Sequence, residues 1–431
     1  MQSLSSQPYK GSRDFYPADF NRRQWIYETC ARVLRGFGYQ EYDGPLLESF
    51  DLYAAKSGQE LVDQQLYSFL DRGERKVAIR PEMTPTLARM VAAKLEEIPK
   101  PVRWFSFPNV WRYERPQKGR LREHWQLNVD VLGGDATWAE TEILEIAGSL
   151  FKSFGAQKYV RFRINHRALM DAFYTQQLSL SSEIIPALSR ILDGREKMSS
   201  EVFIQNLEKI QLTAAQIDKV QSFISSDLSQ ATKLCPCPAA EHLNVLFERL
   251  SKTSTPDVYH FDPSIVRGLD YYTGVVFEAF DVSPENNRAL FGGGRYDNLM
   301  GLFHKNKSLS GVGLGMGDVV LSDFLDLHKL WPDLNQKNQI FISCLDDQLY
   351  NDVSKLAVSL RDSDLSVMTS LGSGSFKNQL KQADRLGVRW IILWGENEKK
   401  SNQVLVKELS TGNQDAVDID QLLQWFKSRC N

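Results

Sequence analysis

The sequence predicts a mixed α/β protein with a helical insertion and a separate C-terminal α/β domain. Stretches of apolar strands and glycines lie before about His166 and after Ser264. Between them, up to about Pro256, glycine is scarce and Leu, Ile, Ser, Gln and Lys recur at helical intervals. Beyond a polar linker at Gln336–Lys337, short apolar strands alternate with helices, which predicts a compact domain with a largely parallel sheet. We therefore predict a first domain at 1–335, with the helical insertion at 168–258, and a second domain at 336–431.

Composition sets broad limits on the class of protein. The chain has 431 residues, 42% of them hydrophobic and 24% charged, as in an ordinary globular protein. A net charge of −3 argues against nonspecific nucleic-acid binding by the whole surface, although it leaves room for a local basic patch. Five scattered cysteines do not form a disulfide framework, which favours a reducing compartment. Cys235 and Cys237 lack the partners of a closed zinc site, so we predict no bound metal.

The N-terminus shows no signal or transit peptide, and no run approaches the ~20 apolar residues that span a bilayer. We therefore expect a soluble, cytoplasmic protein. Helical spacing predicts a helix over Pro17–Phe37, which ends at a glycine pair, followed by a strand over Tyr39–Leu47.

A second strand, beginning at Val77, runs into a polar turn before a helix over Pro85–Leu95. Glu82 and Thr84 are two residues apart in that turn, so an extended backbone would project both side chains to one side. An acidic group there could bind an ammonium, although such a glutamate is more often a surface residue.

The segment Arg103–Gly133 reads as a strand, a cationic turn around Pro116 and Gly119, and a returning strand. Its cations are Arg112, Arg115, Lys118, Arg120 and Arg122. Because like charges repel and guanidinium groups match phosphate oxygens, this crowding favours a phosphate ligand, the alternative being a solvated hairpin tip. On the returning strand, Gln126, Asn128 and Asp130 alternate with apolar residues, so one face is polar.

Three further strings carry candidate binding residues. In RGLDYYTGVVFE, a cation (Arg267) precedes Tyr271 and Tyr272, whose flat faces and hydroxyls suit a small polar aromatic ligand. A core strand with an exposed Arg267 is the alternative. FGGGRYDNL contributes Tyr296 and three glycines that allow close backbone approach. In SLSGVGLGMGDVVL, a glycine-rich strand enters a helix, and Gly313, Gly315 and Gly317 could admit an adenine and ribose.

RYERPQKGRLRE resembles the second signature motif of class II aminoacyl-tRNA synthetases, and RGLDYYTGVVFE with FGGGRYDNL resembles the histidine–tRNA ligase family. The resemblance runs from Lys10 to the C-terminus. It implies an antiparallel catalytic sheet with flanking helices, a homodimer built on the first motif, an insertion near the tRNA acceptor arm, and a C-terminal anticodon-binding domain. It implies attachment of histidine to its tRNA through an adenylate, with ATP and Mg²⁺ as cofactors.

The resemblance also assigns roles to individual residues. Catalysis falls to Arg112 and Arg267; ATP binding to Arg112, Arg120, Gly313 and Gly315; the tRNA acceptor end to Arg115 and Gln117; and histidine binding to Glu82, Thr84, Gln126, Asp130, Tyr271, Tyr272 and Tyr296.

In one respect the chain departs from the family pattern. The arginine usual in the third class II motif is missing, and Asp318, Val319 and Val320 occupy its region. The cations nearest in sequence are Arg288, Arg295, Lys305 and Lys307, none of them compelling. An alternative function is that of a catalytically inactive paralogue, the regulatory subunit of ATP phosphoribosyltransferase. The retained arginines and the full C-terminal domain disfavour it.

Overall fold

The computed structural model describes residues 4–55, 64–195, 198–266, 272–286, 288–304, 308–334 and 339–429. The chain divides into two compact units, Met1–Pro332 and Asp333–Asn431. None of the helices within the described ranges combines the length and apolar character needed to cross a membrane.

The strands of the first unit are β1 (Gln40–Glu41), β2 (Leu47–Ser49), β3 (Ser68–Leu70), β4 (Lys76–Ile79), β5 (Val102–Ser106), β6 (Asn109–Trp111), β7 (Glu123–Leu132), β8 (Val160–His166), β9 (Tyr259–Phe261), β10 (Val275–Asp281), β11 (Ala289–Tyr296) and β12 (Gly311–Gly317). A central sheet has the order β1-β5-β7-β12-β11-β10-β8-β9, with β6 also paired to β7. Its pairings are antiparallel except at the two ends, β1–β5 and β8–β9. A second, small sheet has the order β2-β4-β3.

The helices of this unit are α1 (Pro17–Gly36), α2 (Phe50–Ala54), α3 (Thr84–Ala93), α4 (Ala136–Ser153), α5 (Arg167–Ala172), α6 (Ile185–Asp193), α7 (Ser200–Lys209), α8 (Ala214–Ile224), α9 (Leu228–Leu234), α10 (Pro238–Leu250) and α11 (Asp318–Leu327). Helices α5 to α10 follow β8 and precede β9, so the glycine-poor segment is helical and interrupts the strands of the central sheet.

One face of the central sheet is covered by helices. Alternate residues of β7 (Leu127, Val129 and Val131) lie in one buried core with Ile143 and Phe151 of α4. Successive side chains of a strand point to opposite faces, so the intervening residues of β7 lie on the other face. This face carries the candidate site.

The second unit contains β13 (Gln339–Ile342), α12 (Tyr350–Arg361), β14 (Ser366–Thr369), α13 (Phe376–Arg385), β15 (Trp390–Leu393), α14 (Glu396–Ser401), β16 (Gln403–Glu408), β17 (Gln414–Asp418) and α15 (Leu422–Lys427). Its sheet has the order β14-β13-β15-β16-β17. The first two pairings are parallel and the last two antiparallel, so the prediction of a largely parallel sheet is only half correct. Strand β17 was not predicted from the sequence. It forms a hairpin with β16, and a hairpin requires antiparallel strands.

Candidate active site

The polar face of β7 is matched across the central sheet by glycines. In the strand register, Asp130 lies opposite Gly313 of β12, and Gly313 lies opposite Gly294 of β11. The neighbouring row places Asn128 beside Gly315 and Gly292. The middle of this face is therefore formed by four glycines, Gly292, Gly294, Gly313 and Gly315, which we call the floor. Because they lack side chains, the floor leaves space beside the polar side chains of β7.

That floor makes room for particular side chains. A Cβ added at Gly313 would lie 2.3 Å from Asp130 Oδ1, and one at Gly315 would lie 2.4 Å from Gln126 Nε2. The Gln126 amide in turn donates to Asn128 Oδ1 at 3.0 Å. On the side where a Cβ would lie, Gly313 and Gly315 are thus covered by the polar groups of β7.

Asp130 is a buried carboxyl on this face. It is 3% exposed and accepts a hydrogen bond of 2.5 Å from the Tyr296 hydroxyl through Oδ1. Its other oxygen, Oδ2, is buried and has no hydrogen-bond partner within the described part of the chain. Burial raises the pKa of Asp130 to about 7, and the Tyr296 hydrogen bond opposes that rise. A buried oxygen of this kind is suited to a cationic or hydrogen-bond-donating ligand.

Tyr272 and Glu82 lie around the same carboxyl. The Tyr272 ring covers Gly294, since a Cβ there would be 3.0 Å from Tyr272 Cδ1. Burial raises the pKa of Tyr272, and the charges of Asp130 and Glu82 add to the rise. Glu82 is 3% exposed in the turn between β4 and α3, and Thr84, the first residue of α3, is half-buried. The structure thus brings Glu82, Asp130, Tyr272 and Tyr296 together.

Arg112 lies between the turn that carries Glu82 and the cationic turn. It is half-buried just after β6, and its Nε donates to the Pro81 carbonyl at 2.9 Å, next to Glu82. Its backbone N–H donates to the Arg122 carbonyl at 2.8 Å, which continues the β6–β7 pairing. A guanidinium held in this way lies between the acidic turn and the cationic turn.

The tip of the cationic turn is exposed. Gln117 and Arg120 exchange backbone hydrogen bonds of 3.0 and 2.9 Å, with Gly119 at φ +75° between them. Arg115, Gln117 and Arg120 have exposed side chains, and Arg120 makes a long 3.5 Å contact with Glu114. Arg288 supports the tip, because its guanidinium donates to the Lys118 carbonyl at 2.8 Å and to Gln117 Oε1 at 3.2 Å.

Arg122 has a different role from its four cationic neighbours. It donates to the Tyr9 hydroxyl at 2.8 Å and to the Glu114 carbonyl at 3.2 Å, and it lies over the Tyr113 ring. Its backbone N–H donates to Gly11. Arg122 therefore anchors the N-terminal segment, a use that the charge pattern alone did not reveal.

His124 is a site residue that the sequence analysis did not identify. Burial lowers the pKa of His124 to about 3, helped by the charges of Arg112 and Arg13. The imidazole is therefore neutral at physiological pH. It lies two positions before Gln126 on β7, so the β-strand alternation that identified Gln126 was the available signal.

Four cations lie near the region of the missing third-motif arginine in the sequence: Arg288, Arg295, Lys305 and Lys307. Arg295 is 6% exposed and forms an ion pair of 2.5 Å with Glu140 of α4, on the helix-covered face of the sheet, so its charge is already compensated. Arg288 holds the turn tip. Lys305 and Lys307 lie outside the described residues, as do Arg267 and Tyr271.

Comparison with known proteins gives a consistent result. A family model described as histidyl-tRNA synthetase matches residues 11–319, and one described as an anticodon binding domain matches residues 339–429. A histidine–tRNA ligase of Leptospira biflexa is 45% identical over 431 residues, covering 99% of this chain and 98% of that protein.

Two solved structures share the fold. A histidyl-tRNA synthetase from Nostoc superposes with a TM-score of 0.86 at 22% identity, covering 99% of this chain and 100% of that one. A Bacillus halodurans protein titled as an ATP phosphoribosyltransferase regulatory subunit/histidyl-tRNA synthetase has a TM-score of 0.75 at 22% identity, covering 88% and 97%. Since the family model spans most of the chain and the 45% identity extends over nearly all of it, the chain belongs to the histidyl-tRNA synthetase family.

Proposed function

We propose that this protein attaches histidine to its tRNA in two steps, through a histidyl-adenylate. The observation that carries the proposal is the polar face of the central sheet. The buried Asp130–Tyr296 pair lies on this face, and Arg112, which follows β6, is bound to the Pro81 carbonyl beside Glu82. An acidic pocket beside a cationic turn suits an amino acid whose ammonium and carboxylate are bound at opposite ends.

The histidine ammonium binds among Glu82, Thr84, Gln126 and Asp130. Two buried carboxyls favour a cationic group, and the unpaired Asp130 Oδ2 offers it a hydrogen-bond acceptor. The imidazole lies between tyrosines, for which the candidates are Tyr271, Tyr272 and Tyr296.

ATP binds at the cationic turn as its Mg²⁺ complex, the metal entering with the phosphates as part of the substrate. A carboxylate oxygen of histidine attacks the α-phosphorus, the bond to the β-phosphate oxygen breaks, and pyrophosphate leaves. Arg112 and Arg267 neutralise the charge that develops at the α-phosphate, and Arg120 binds the phosphate tail. Gly313 and Gly315 keep the floor low, so that the polar side chains beside the nucleotide are accommodated.

The second step transfers the histidyl group to a terminal ribose hydroxyl of the tRNA, with AMP as the leaving group. The exposed side chains of Arg115 and Gln117 contact the acceptor end. The second unit, which the anticodon binding domain model matches, binds the anticodon.

We also propose that the active form is a homodimer in a reducing cytoplasm. The two outer strands of the small sheet expose large apolar side chains on one face: Leu47 at 43% on β2 and Phe69 at 48% on β3. Exposed apolar side chains on the same face of a sheet are typical of a buried interface, and a second copy of the chain is the partner we propose. The cysteines at 30, 235, 237 and 344 are all free thiols.

The decisive experiment is pyrophosphate exchange with each of the twenty amino acids, followed by charging of the histidine tRNA. We expect exchange with histidine alone, and then formation of histidyl-tRNA. Histidine binding without exchange would instead indicate the regulatory paralogue. Exchange with another amino acid would refute the assignment of the pocket.

A further inference from the structure

A second cationic cluster lies where α11 begins. Asp318, the first residue of this helix, has a side chain only 2% exposed. Its Oδ2 accepts from Arg13 Nη2 at 2.7 Å, and its Oδ1 accepts from the Trp125 backbone N–H at 2.9 Å. The two ends of the first unit are thus joined by an ion pair between residues 305 positions apart.

Two guanidiniums lie close together in this cluster. The Arg23 guanidinium lies 4.1 Å from the Trp125 ring and 4.4 Å from the Phe15 ring, and the Arg13 guanidinium lies 4.8 Å from the same Phe15 ring. Two arginines therefore share one aromatic ring and one buried carboxylate. The pKa of Arg23 is lowered by burial, although the Asp318 charge opposes the shift. The Glu123 charge opposes the same shift, and Asp323 is within electrostatic range of Arg13, so the two guanidiniums face more than one acid.

The cluster borders the candidate active site. Trp125 and Gln126 are successive residues of β7 and lie on opposite faces, whereas the neutral His124 shares the face of Gln126 and is within electrostatic range of both Arg13 and Arg112. Arg13 retains hydrogen-bonding capacity: its side chain is 26% exposed, and its Nε has no partner within the described part of the chain. Arg13 and Arg112 thus both lie near His124.

We propose that Arg13 binds the phosphate chain of ATP, held in place by Asp318. The third motif carries no arginine, and Asp318 occupies its region; the ion pair brings a guanidinium to that position from the N-terminal segment instead. A guanidinium fixed through one nitrogen still presents other N–H groups to phosphate oxygens. This inference rests on the proposed function, since it assumes that ATP binds beside β7.

The test compares Arg13→Ala and Arg13→Lys with the control Arg22→Ala. Arg22 also pairs with α11, through Asp326 at 3.2 Å, but both side chains are about half exposed (47% and 53%). The variants are assayed by histidine-dependent pyrophosphate exchange, with the KM for ATP and the KM for histidine measured separately. ATP binding without turnover is measured by calorimetry.

We expect Arg13→Ala to raise the KM and the Kd for ATP about tenfold or more, as a lost charge-assisted hydrogen bond does, with the histidine KM nearly unchanged. Arg13→Lys should keep part of the affinity, and Arg22→Ala should match the wild type. If Arg13→Ala fails to fold because Asp318 is left unpaired, Arg13→Ala with Asp318→Asn removes both charges and should show the same ATP defect.

An unchanged ATP Kd in a folded variant would overturn the inference, and so would equal increases in both KM values, which indicate a structural anchor only. Failure of the proposed function is distinguishable. In that case the wild type shows no histidine-dependent exchange, while the calorimetric comparison of ATP binding still tests Arg13.

Discussion

The buried Asp130 carboxyl makes the free energy of unfolding of the first unit depend on pH, and replacing Asp130 by asparagine should remove this dependence. The carboxyl is 3% exposed, and burial raises its pKa from 3.8 to about 7. Between these two values the folded chain holds a proton on Asp130 that the unfolded chain releases. The stabilisation is therefore fully present below pH about 4 and is lost as pH rises through about 7.

The size of the effect follows from the shift. A rise of about 3 pKa units corresponds to about 4 kcal/mol of unfolding free energy over the whole titration. About 2–3 kcal/mol of that amount is lost between roughly pH 5 and pH 8. An asparagine has nearly the same shape as the aspartate and does not titrate. The unfolding free energy of Asp130→Asn should therefore not decrease in this way as pH rises.

Urea unfolding of the wild type and the variant at several pH values measures the difference directly, because titration elsewhere in the chain cancels in the comparison. Asp130→Asn should become more stable relative to the wild type by about 2–3 kcal/mol as pH rises from 5 to 8. Tyr296→Phe is the matched control. It removes the hydrogen bond that opposes the rise in the pKa of Asp130, so the pH at which the stability is lost should increase. A difference between wild type and Asp130→Asn that stays constant over this range would refute the reasoning.

Three further predictions concern the floor, the second unit and the small sheet. Gly313→Ala should abolish pyrophosphate exchange and lower Tm, because its Cβ would lie 2.3 Å from Asp130 Oδ1 and 2.6 Å from a backbone carbonyl. The control is Gly36→Ala, whose Cβ would have no atom within 4 Å. Equal activity of the two variants would contradict the close packing at Gly313. Truncation after Pro332 should spare histidine-dependent exchange and weaken tRNA charging, and equal loss of both in a folded product would show that the second unit belongs to the active body. Phe69→Lys should shift the sedimentation coefficient from that of a dimer to that of a monomer, whereas an unchanged value would remove this face of the small sheet from the interface.

Local pattern was sufficient to predict most elements. The helix predicted over Pro17–Phe37 is α1, at Pro17–Gly36, because proline at its start and glycine at its end are strong boundary signals. The polar face of β7 was also predicted, since alternation fixes which residues share a face. These are properties of neighbours in sequence, and tertiary packing left them unchanged.

Pairings across the chain could not be predicted in this way. No local pattern indicates that Arg122 holds Tyr9, or that Asp318 faces Arg13, because each partner lies more than a hundred residues away. Charge density at the cationic turn therefore overestimated the number of cations available to a phosphate. The same limitation hid Arg13, the cation that we propose for the phosphate chain of ATP.

The register of β7 and β12 explains why the fold and the candidate site depend on the same residues. Asp130 fits only because Gly313 is opposite, and the next residue on each strand, Val131 or Leu314, belongs to the hydrophobic core. A slip of one residue would turn the carboxyl into that core and expose the apolar side chains, since a strand alternates with a period of two. The core on one face thus enforces the register that places the carboxyl on the other. A substitution in either face should therefore be assayed for stability and for histidine binding together, because the two properties share this strand pair.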